Sequence, residues 1–312
     1  SLKFYFLPIL FSSAMVIAQK PNDPERYSGH KNENKFKELY DEFATPNMFR
    51  TGSGAPGPAY YQQQADYKMS LELDDANSRL SGYETITYTN NSPDELKFLW
   101  VQLDQNMRAP NSKSPLIEKG GVTLKPSAFA KTYMKNVFKR GFNIEKVLDV
   151  NGKGLEYMIN GTMMRIELPN TMKTGDQFSF DIQWWYNINN HVEEGGRSGY
   201  EYFADTDNKI YVMAQFYPRM AVYNDVEGWQ NAQFFGRDEF ALPFGDFEVD
   251  ITVPADHILD GTGELVNRKE VFTKKMMEQY KKAQSSYNEP VVIVSQQEAL
   301  EAEKSKSNKT KT

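Results

Sequence analysis

The chain has 312 residues, no cysteine and a net charge of −6, from 36 basic and 42 acidic side chains. No basic excess exists to grip a phosphate backbone, which excludes nucleic acid as a partner, and the absence of thiols excludes disulfides, thiolate metal sites and cysteine nucleophiles. Apolar residues make up 39% and aromatics 13%, enough for a substantial core built from residues that favour strands.

In chain order, Lys3 precedes an apolar stretch from Phe4 to Leu10 that continues through Ala14 to Ala18. Val16 and Ala18 have the spacing a signal peptidase reads, so residues 1–18 are expected to be a signal peptide. The apolar run falls short of the ~20 residues of a membrane span. The expectation is an exported protein, periplasmic or secreted, with no integral membrane segment after cleavage. Residues 19–60 are polar and punctuated by proline and glycine, a leader or strap with a short amphipathic helix around Phe36–Phe43.

A β-rich domain is expected over residues 61–267. Tyr67, Met69, Leu71 and Leu73 alternate with polar residues, and a second strand follows at Leu80–Thr89. Phe98–Leu103 is almost continuously apolar and suits a strand covered on both faces. Residues 110–141 read as a long basic loop with some helix. Strands return at Ile144–Val150, Leu155–Ile159 and Met163–Leu168, with Asn151-Gly152 and Asn160-Gly161 as tight turns. Gln177–Asn187 alternates most clearly, with Phe178, Phe180, Ile182, Trp184 and Tyr186 on one face. Further strands are expected at Ile210–Phe216 and at Phe247–Val253, ended by Pro254. Many short strands separated by turns predict a mainly β fold, an antiparallel, saddle-like β-sandwich. Residues 268–312 should form a helix at Glu270–Gln284, a strand at Val291–Ser295 and a loose lysine-rich tail.

The residues that carry chemistry are few. His30, His191 and His257 are the only histidines, and none has a second histidine four positions on, so the helical zinc arrangement is absent. His191 with Glu193 and Glu194 reads as a polar loop rather than a metal pair. Asp205, Asp207 and Asn208 read as an ordinary turn rather than a calcium loop, since the glycine and late glutamate are missing. No nucleophile elbow or phosphate-binding glycine loop occurs. Trp185 lies on the face opposite Trp184, and suits a domain contact better than a sugar platform. No catalytic residue and no metal ligand is expected within these residues, which leaves an exported β-domain as the reading from composition and spacing alone.

One ordered set of segments says more. Gln215-Phe216-Tyr217-Pro218-Arg219 leads to Tyr223-Asn224-Asp225 and Gly228-Trp229; Phe244-Gly245-Asp246 opens a strand ending in Thr252-Val253-Pro254; Gly261-Thr262-Gly263-Glu264-Leu265 follows. With the strand Leu80-Ser81-Gly82-Tyr83-Glu84, this order resembles the N-terminal domain of the aminopeptidase N family of zinc metallopeptidases, above all its exported bacterial members. The resemblance spans roughly residues 60–300. It implies a full-length enzyme that removes N-terminal residues from peptide substrates through zinc-activated water. It also implies that the Gly-x-Met-Glu-Asn loop and His-Glu-x-x-His helix lie downstream, in a catalytic domain partnered by this one, and that these residues bind no zinc themselves. The family's amine-holding Gln or Glu falls on Tyr217, which carries no charge at neutral pH. Gln215, two residues earlier and expected on the same strand face, is the substitute candidate. A non-enzymatic exported binding or scaffold module is the alternative.

Overall fold

A computed structural model of the chain describes residues 46–114, 141–236, 241–302, 304 and 310–311. The chain divides into two units, residues 1–58 and 59–312. In the first, residues 46–58 fold back on themselves, with Arg50 bridging Pro56 and the Gly57 amide donating to the Phe49 carbonyl. The expected signal peptide, the helix at Phe36–Phe43 and most of the 110–141 loop lie outside the described residues.

The second unit contains strands β1 (Gln64–Asp74), β2 (Arg79–Thr89), β3 (Leu96–Gln102), β4 (Asn143–Asp149), β5 (Tyr157–Asn160), β6 (Met163–Met172) and β7 (Gln177–Asn187). They are followed by β8 (Gly199–Phe203), β9 (Asn208–Val212), β10 (Arg219–Met220), β11 (Tyr223–Asn224), β12 (Gly228–Trp229), β13 (Phe247–Pro254) and β14 (Thr310–Lys311). A 3-10 helix (Asp104–Arg108) and the short helices α1 (His191–Glu194), α2 (Arg268–Val271), α3 (Lys274–Gln284) and α4 (Gln296–Ala302) complete the described elements.

Two open sheets form the body, as the alternation predicts. The larger runs β14-β13-β1-β2-β7-β4 and the smaller β10-β3-β6-β5, with β8-β9 and β11-β12 as two-stranded ribbons. Ala65, Tyr67, Met69 and Leu71 of β1, Ile86 and Tyr88 of β2 and Phe180, Ile182 and Trp184 of β7 share one core with Leu99, Val101, Met164 and Ile166 of the smaller sheet. The expected faces of β7 are the ones observed, with Trp184 buried and Trp185 half-buried on the other side. Gly82 lies opposite Trp184, and a Cβ there would sit 2.3 Å from the indole ring. Glycine is therefore what lets the tryptophan lie flat across β2.

One pairing departs from the antiparallel pattern. β13 runs parallel to β1, matching Tyr67 with Phe247 and Leu71 with Ile251. The entry is tight, because the Ala65 and Tyr67 amides donate to the Phe244 and Asp246 carbonyls at 2.9 and 2.8 Å. A Cβ at the intervening Gly245 would fall 1.7 Å from the Ala65 carbonyl oxygen.

Four local expectations need correction. The strand expected to reach Phe216 ends at Val212, and Gln215 adopts a left-handed φ of 54° that turns the chain. The helix expected as one piece is two, because Phe272 is extended and the Thr273 hydroxyl caps a fresh start by accepting from the Met276 amide. Residues 291–295 form no strand, and helix α4 begins directly after them. Within the tail expected to be loose, Thr310 and Lys311 pair with Pro254 and Val253.

Candidate functional site

The segment 213–220 closes over Tyr67. Period two puts Tyr67 on the buried face of β1, where its hydroxyl accepts a hydrogen bond from the Met220 amide at 2.9 Å. Its ring stacks on Phe247 at 4.8 Å and meets the edge of Tyr217 at 5.4 Å. Phe216 packs against Tyr217 at 5.0 Å. The turn is pinned from beneath by Gln105, whose amide donates to the carbonyls of Ala214 and Gln215 at 3.3 and 2.9 Å.

Buried charge lies below these rings. Arg219 forms an ion pair with Asp104 at 2.7 Å and donates to Gln102 at 3.1 Å, and all three side chains are buried. Burial raises the Asp104 carboxyl, and the Arg219 charge opposes that rise without cancelling it. Glu84 is fully buried on the core face of β2, and neither of its oxygens has a hydrogen-bond partner among the described residues. Burial pushes its carboxyl well above the ordinary carboxylate range. The Trp184 indole tempers that shift but lies outside hydrogen-bonding geometry.

Tyr217 is thus a neutral phenol. Burial pushes it up to about 12, with the Glu84 and Asp104 carboxyls adding to the rise and Arg219 opposing it. A phenol in this state packs and forms neutral hydrogen bonds; it offers no negative charge to an ammonium group. Gln215 and Tyr217 do not share a strand face as expected, because the left-handed Gln215 breaks the period-two geometry between them. Gln215 holds the turn through its backbone carbonyl, and its side chain is half-exposed.

The remaining candidates are scattered. His30 lies outside the described residues. His191 opens the four-residue α1, where the Asn190 side chain caps the Val192 amide. His257 has Asp256 Oδ1 at 3.0 Å from Nδ1 and Asp75 Oδ1 at 4.0 Å from Nε2. That Asp75 oxygen also accepts from the Tyr211 hydroxyl at 2.6 Å and lies 3.7 Å from Lys209. Asp207 sits in the β8-β9 turn with φ 53° and accepts from the Tyr202 hydroxyl. Arg79 covers Trp185, its guanidinium 5.6 Å from the ring centre. Among the described residues no group of three or more His, Asp or Glu side chains can hold a metal ion. A zinc centre therefore does not fit the described residues. No described helix is long and apolar enough to cross a membrane.

The cluster of Tyr67, Glu84, Asp104 and Arg219 escapes a reading by motif. One signal for it exists in the sequence: Leu80, Gly82, Glu84, Ile86 and Tyr88 share a period-two face, and a carboxylate in that row stands where an apolar side chain belongs.

No family model matches the chain, and no curated protein does. Among solved structures, an M1 zinc metallopeptidase from Deinococcus radiodurans is 12% identical with a TM-score of 0.32, covering 64% of this chain and 34% of that one. A mutant two-domain M1 zinc metallopeptidase bound to L-tryptophan is likewise 12% identical with a TM-score of 0.32, covering 65% of this chain and 35% of that one. The chain spans about a third of the length of these structures. A likeness so slight carries no argument about activity.

Proposed function

We propose that this chain is the β-rich N-terminal portion of an exported zinc metallopeptidase that removes residues from peptide N-termini. Its own part is to cap and position a separate catalytic domain. One observation supports this reading above the others: two of the segments that carry the family resemblance, the one from Gln215 and the strand opened by Phe244-Gly245-Asp246, converge on one residue of β1. Tyr217, the Met220 amide and Phe247 all meet at Tyr67, although they come from a turn, a short strand and a strand far along the chain. β11 and β12, which hold Tyr223 and Trp229 of the same set, pair with each other, and Tyr223 donates to Asp94 at 2.7 Å. Segments far apart in the chain that meet at one buried tyrosine are under a common packing constraint, which isolated chance matches are not.

The export part of the reading rests on residues 1–18. The neutral Tyr217 moves recognition of a substrate ammonium away from this position. Gln215 contributes a neutral carboxamide at most, so the counter-charge belongs to the catalytic domain.

The test compares this chain with the protein encoded by its complete reading frame. Zinc content and hydrolysis of aminoacyl anilides are measured on both. Stoichiometric zinc and turnover in the longer protein alone are expected. A frame that stops directly after Thr312, or continues without a His-Glu-x-x-His sequence, removes the enzyme reading.

A further inference from the structure

The sequence contains three pairs in which asparagine or aspartate precedes glycine: Asn151-Gly152, Asn160-Gly161 and Asp260-Gly261. In such a pair the glycine nitrogen can attack the side-chain carbonyl carbon and close a five-membered imide, because glycine has no Cβ to crowd the ring. The fold holds the three pairs in different ways.

At the end of β4 the Gly152 amide donates to the Asp149 carbonyl at 2.9 Å, and the Asn151 and Lys153 amides both donate to Asp149 Oδ1 at 2.9 Å. The Gly152 nitrogen is committed to residue 149. In the β5-β6 hairpin, Gln233 donates to the Asn160 carbonyl at 2.8 Å and accepts from the Thr162 amide at 2.8 Å. Asn106 donates to the Gly161 carbonyl at 2.9 Å. The peptide groups on both sides of Gly161 are held from outside, and ring closure has to turn the first of them.

Asp260 and Gly261 lie within residues 255–267, which join β13 to α2 without strand or helix, and both are exposed. Here the Gly261 amide donates to Asp260 Oδ1 at 2.9 Å. The nitrogen and the carboxyl are already in contact, and the carboxyl carbon is one C–O bond beyond the oxygen. Contact at about 3–3.5 Å is what a near-attack arrangement requires. A Cβ at Gly261 would meet no atom within 4 Å apart from its chain neighbours, and its φ lies outside the left-handed region.

We propose that Asp260 is a self-modification site, converted to isoaspartate through a cyclic imide with water as the only co-reactant. The Gly261 nitrogen bonds to Cγ of the protonated carboxyl, one C–O bond of that carboxyl breaks, and the amide proton leaves with the hydroxyl as water. Water then adds back to either imide carbonyl. Opening at Cγ restores aspartate. Opening at the main-chain carbonyl carries the chain through Cβ and Cγ, which adds one methylene to the backbone and leaves a free α-carboxylate. The overall change is an isomerisation with no change of mass. The proposal stands apart from the peptidase reading, and its failure leaves that reading untouched.

The experiment incubates the 312-residue chain in heavy-oxygen water, both folded and in guanidinium chloride, and maps the digested protein by mass spectrometry. Ring opening places one heavy oxygen in residue 260, and electron-transfer fragmentation separates isoaspartate from aspartate. Asp260 is followed at mildly acid pH and the two asparagines at mildly alkaline pH, where their rings close with loss of ammonia. Each site is compared with itself in denaturant, which removes the intrinsic difference between the two residue types. Folding is expected to slow the reaction at least about tenfold at Asn151 and Asn160 and to leave Asp260 as fast or faster. Gly261→Ala should slow Asp260 at least about tenfold, since the new Cβ crowds the closing ring and nothing else in the fold. Asp260→Glu, which needs a six-membered ring, should give no labelled product. Isoaspartate at residue 260 that forms at least about tenfold more slowly in the folded chain than in denaturant would overturn the proposal. So would an unchanged rate in Gly261→Ala with the fold verified by circular dichroism.

Discussion

Glu84→Gln isolates the buried carboxyl with almost no change of shape. Glu84 lies opposite Met69 of β1 and Ile182 of β7, has no exposed surface, and has both oxygens unpartnered among the described residues. Burial raises its pKa in the folded protein, whereas in the unfolded chain it titrates near an ordinary glutamate, at about 4.3. Between those two values the native state holds a proton that the unfolded state has lost. The stability contributed is fully present below the unfolded pKa and is lost as pH rises towards the folded one, at up to about 1.4 kcal/mol per pH unit. With a urea m-value of about 3 kcal/mol/M, that slope moves the midpoint down by roughly 0.5 M per unit. Asp104, also raised by burial, works in the same direction. Asp74, held low chiefly by the Asn77 amide, acts with the opposite sign and only in acid. Urea unfolding followed by tryptophan fluorescence at pH 5, 6, 7 and 8 should therefore show wild-type midpoints falling with pH. The Glu84→Gln midpoints should fall less, so that the variant is the more stable protein at pH 8. A flat or rising wild-type profile, or a variant profile parallel to it, would refute the assignment of Glu84 as a buried carboxyl that resists ionisation.

Two further outcomes follow from the packing. Gly82→Ala forces a methyl group into the Trp184 ring and should cost about 1–3 kcal/mol, read as a lowered urea midpoint together with a shift in tryptophan emission; an unchanged midpoint would mean that β2 and β7 do not pair in this register. Arg219→Met leaves Asp104 buried without its partner and should cost about 3–5 kcal/mol, while Asp104→Leu added to it should recover most of that loss; a double variant no better than the single one would show that the ion pair is not the source of the effect.

Much of the secondary structure was legible because it is written in local periodicity. Gln177–Asn187 alternates so regularly that its limits, its buried face and the opposite placements of Trp184 and Trp185 all follow from the order of residues, and the same holds for the pairing strand around Leu80–Thr89. The Asn160-Gly161 signal likewise matches the β5-β6 hairpin, where Asn160 pairs with Met163. The candidate site was less legible. The run from Ile210 to Phe216 has strand composition, but a left-handed Gln215, held by the distant Gln105, ends the strand early and separates Gln215 from Tyr217.

What the sequence determined by itself was therefore the mainly β class, the faces of the long strands, and the chemistry ruled out by the lack of cysteine and by three histidines of which none stands four positions from another. The tertiary structure alone decided that β13 lies parallel to β1, that Tyr217, Met220 and Phe247 meet at Tyr67, and that Glu84 is buried in the core with no hydrogen-bond partner among the described residues. The physical reason is range. Alternation records which way each side chain points from its own strand, but not which strand arrives beside it, and the charge of a buried group depends on that arrival.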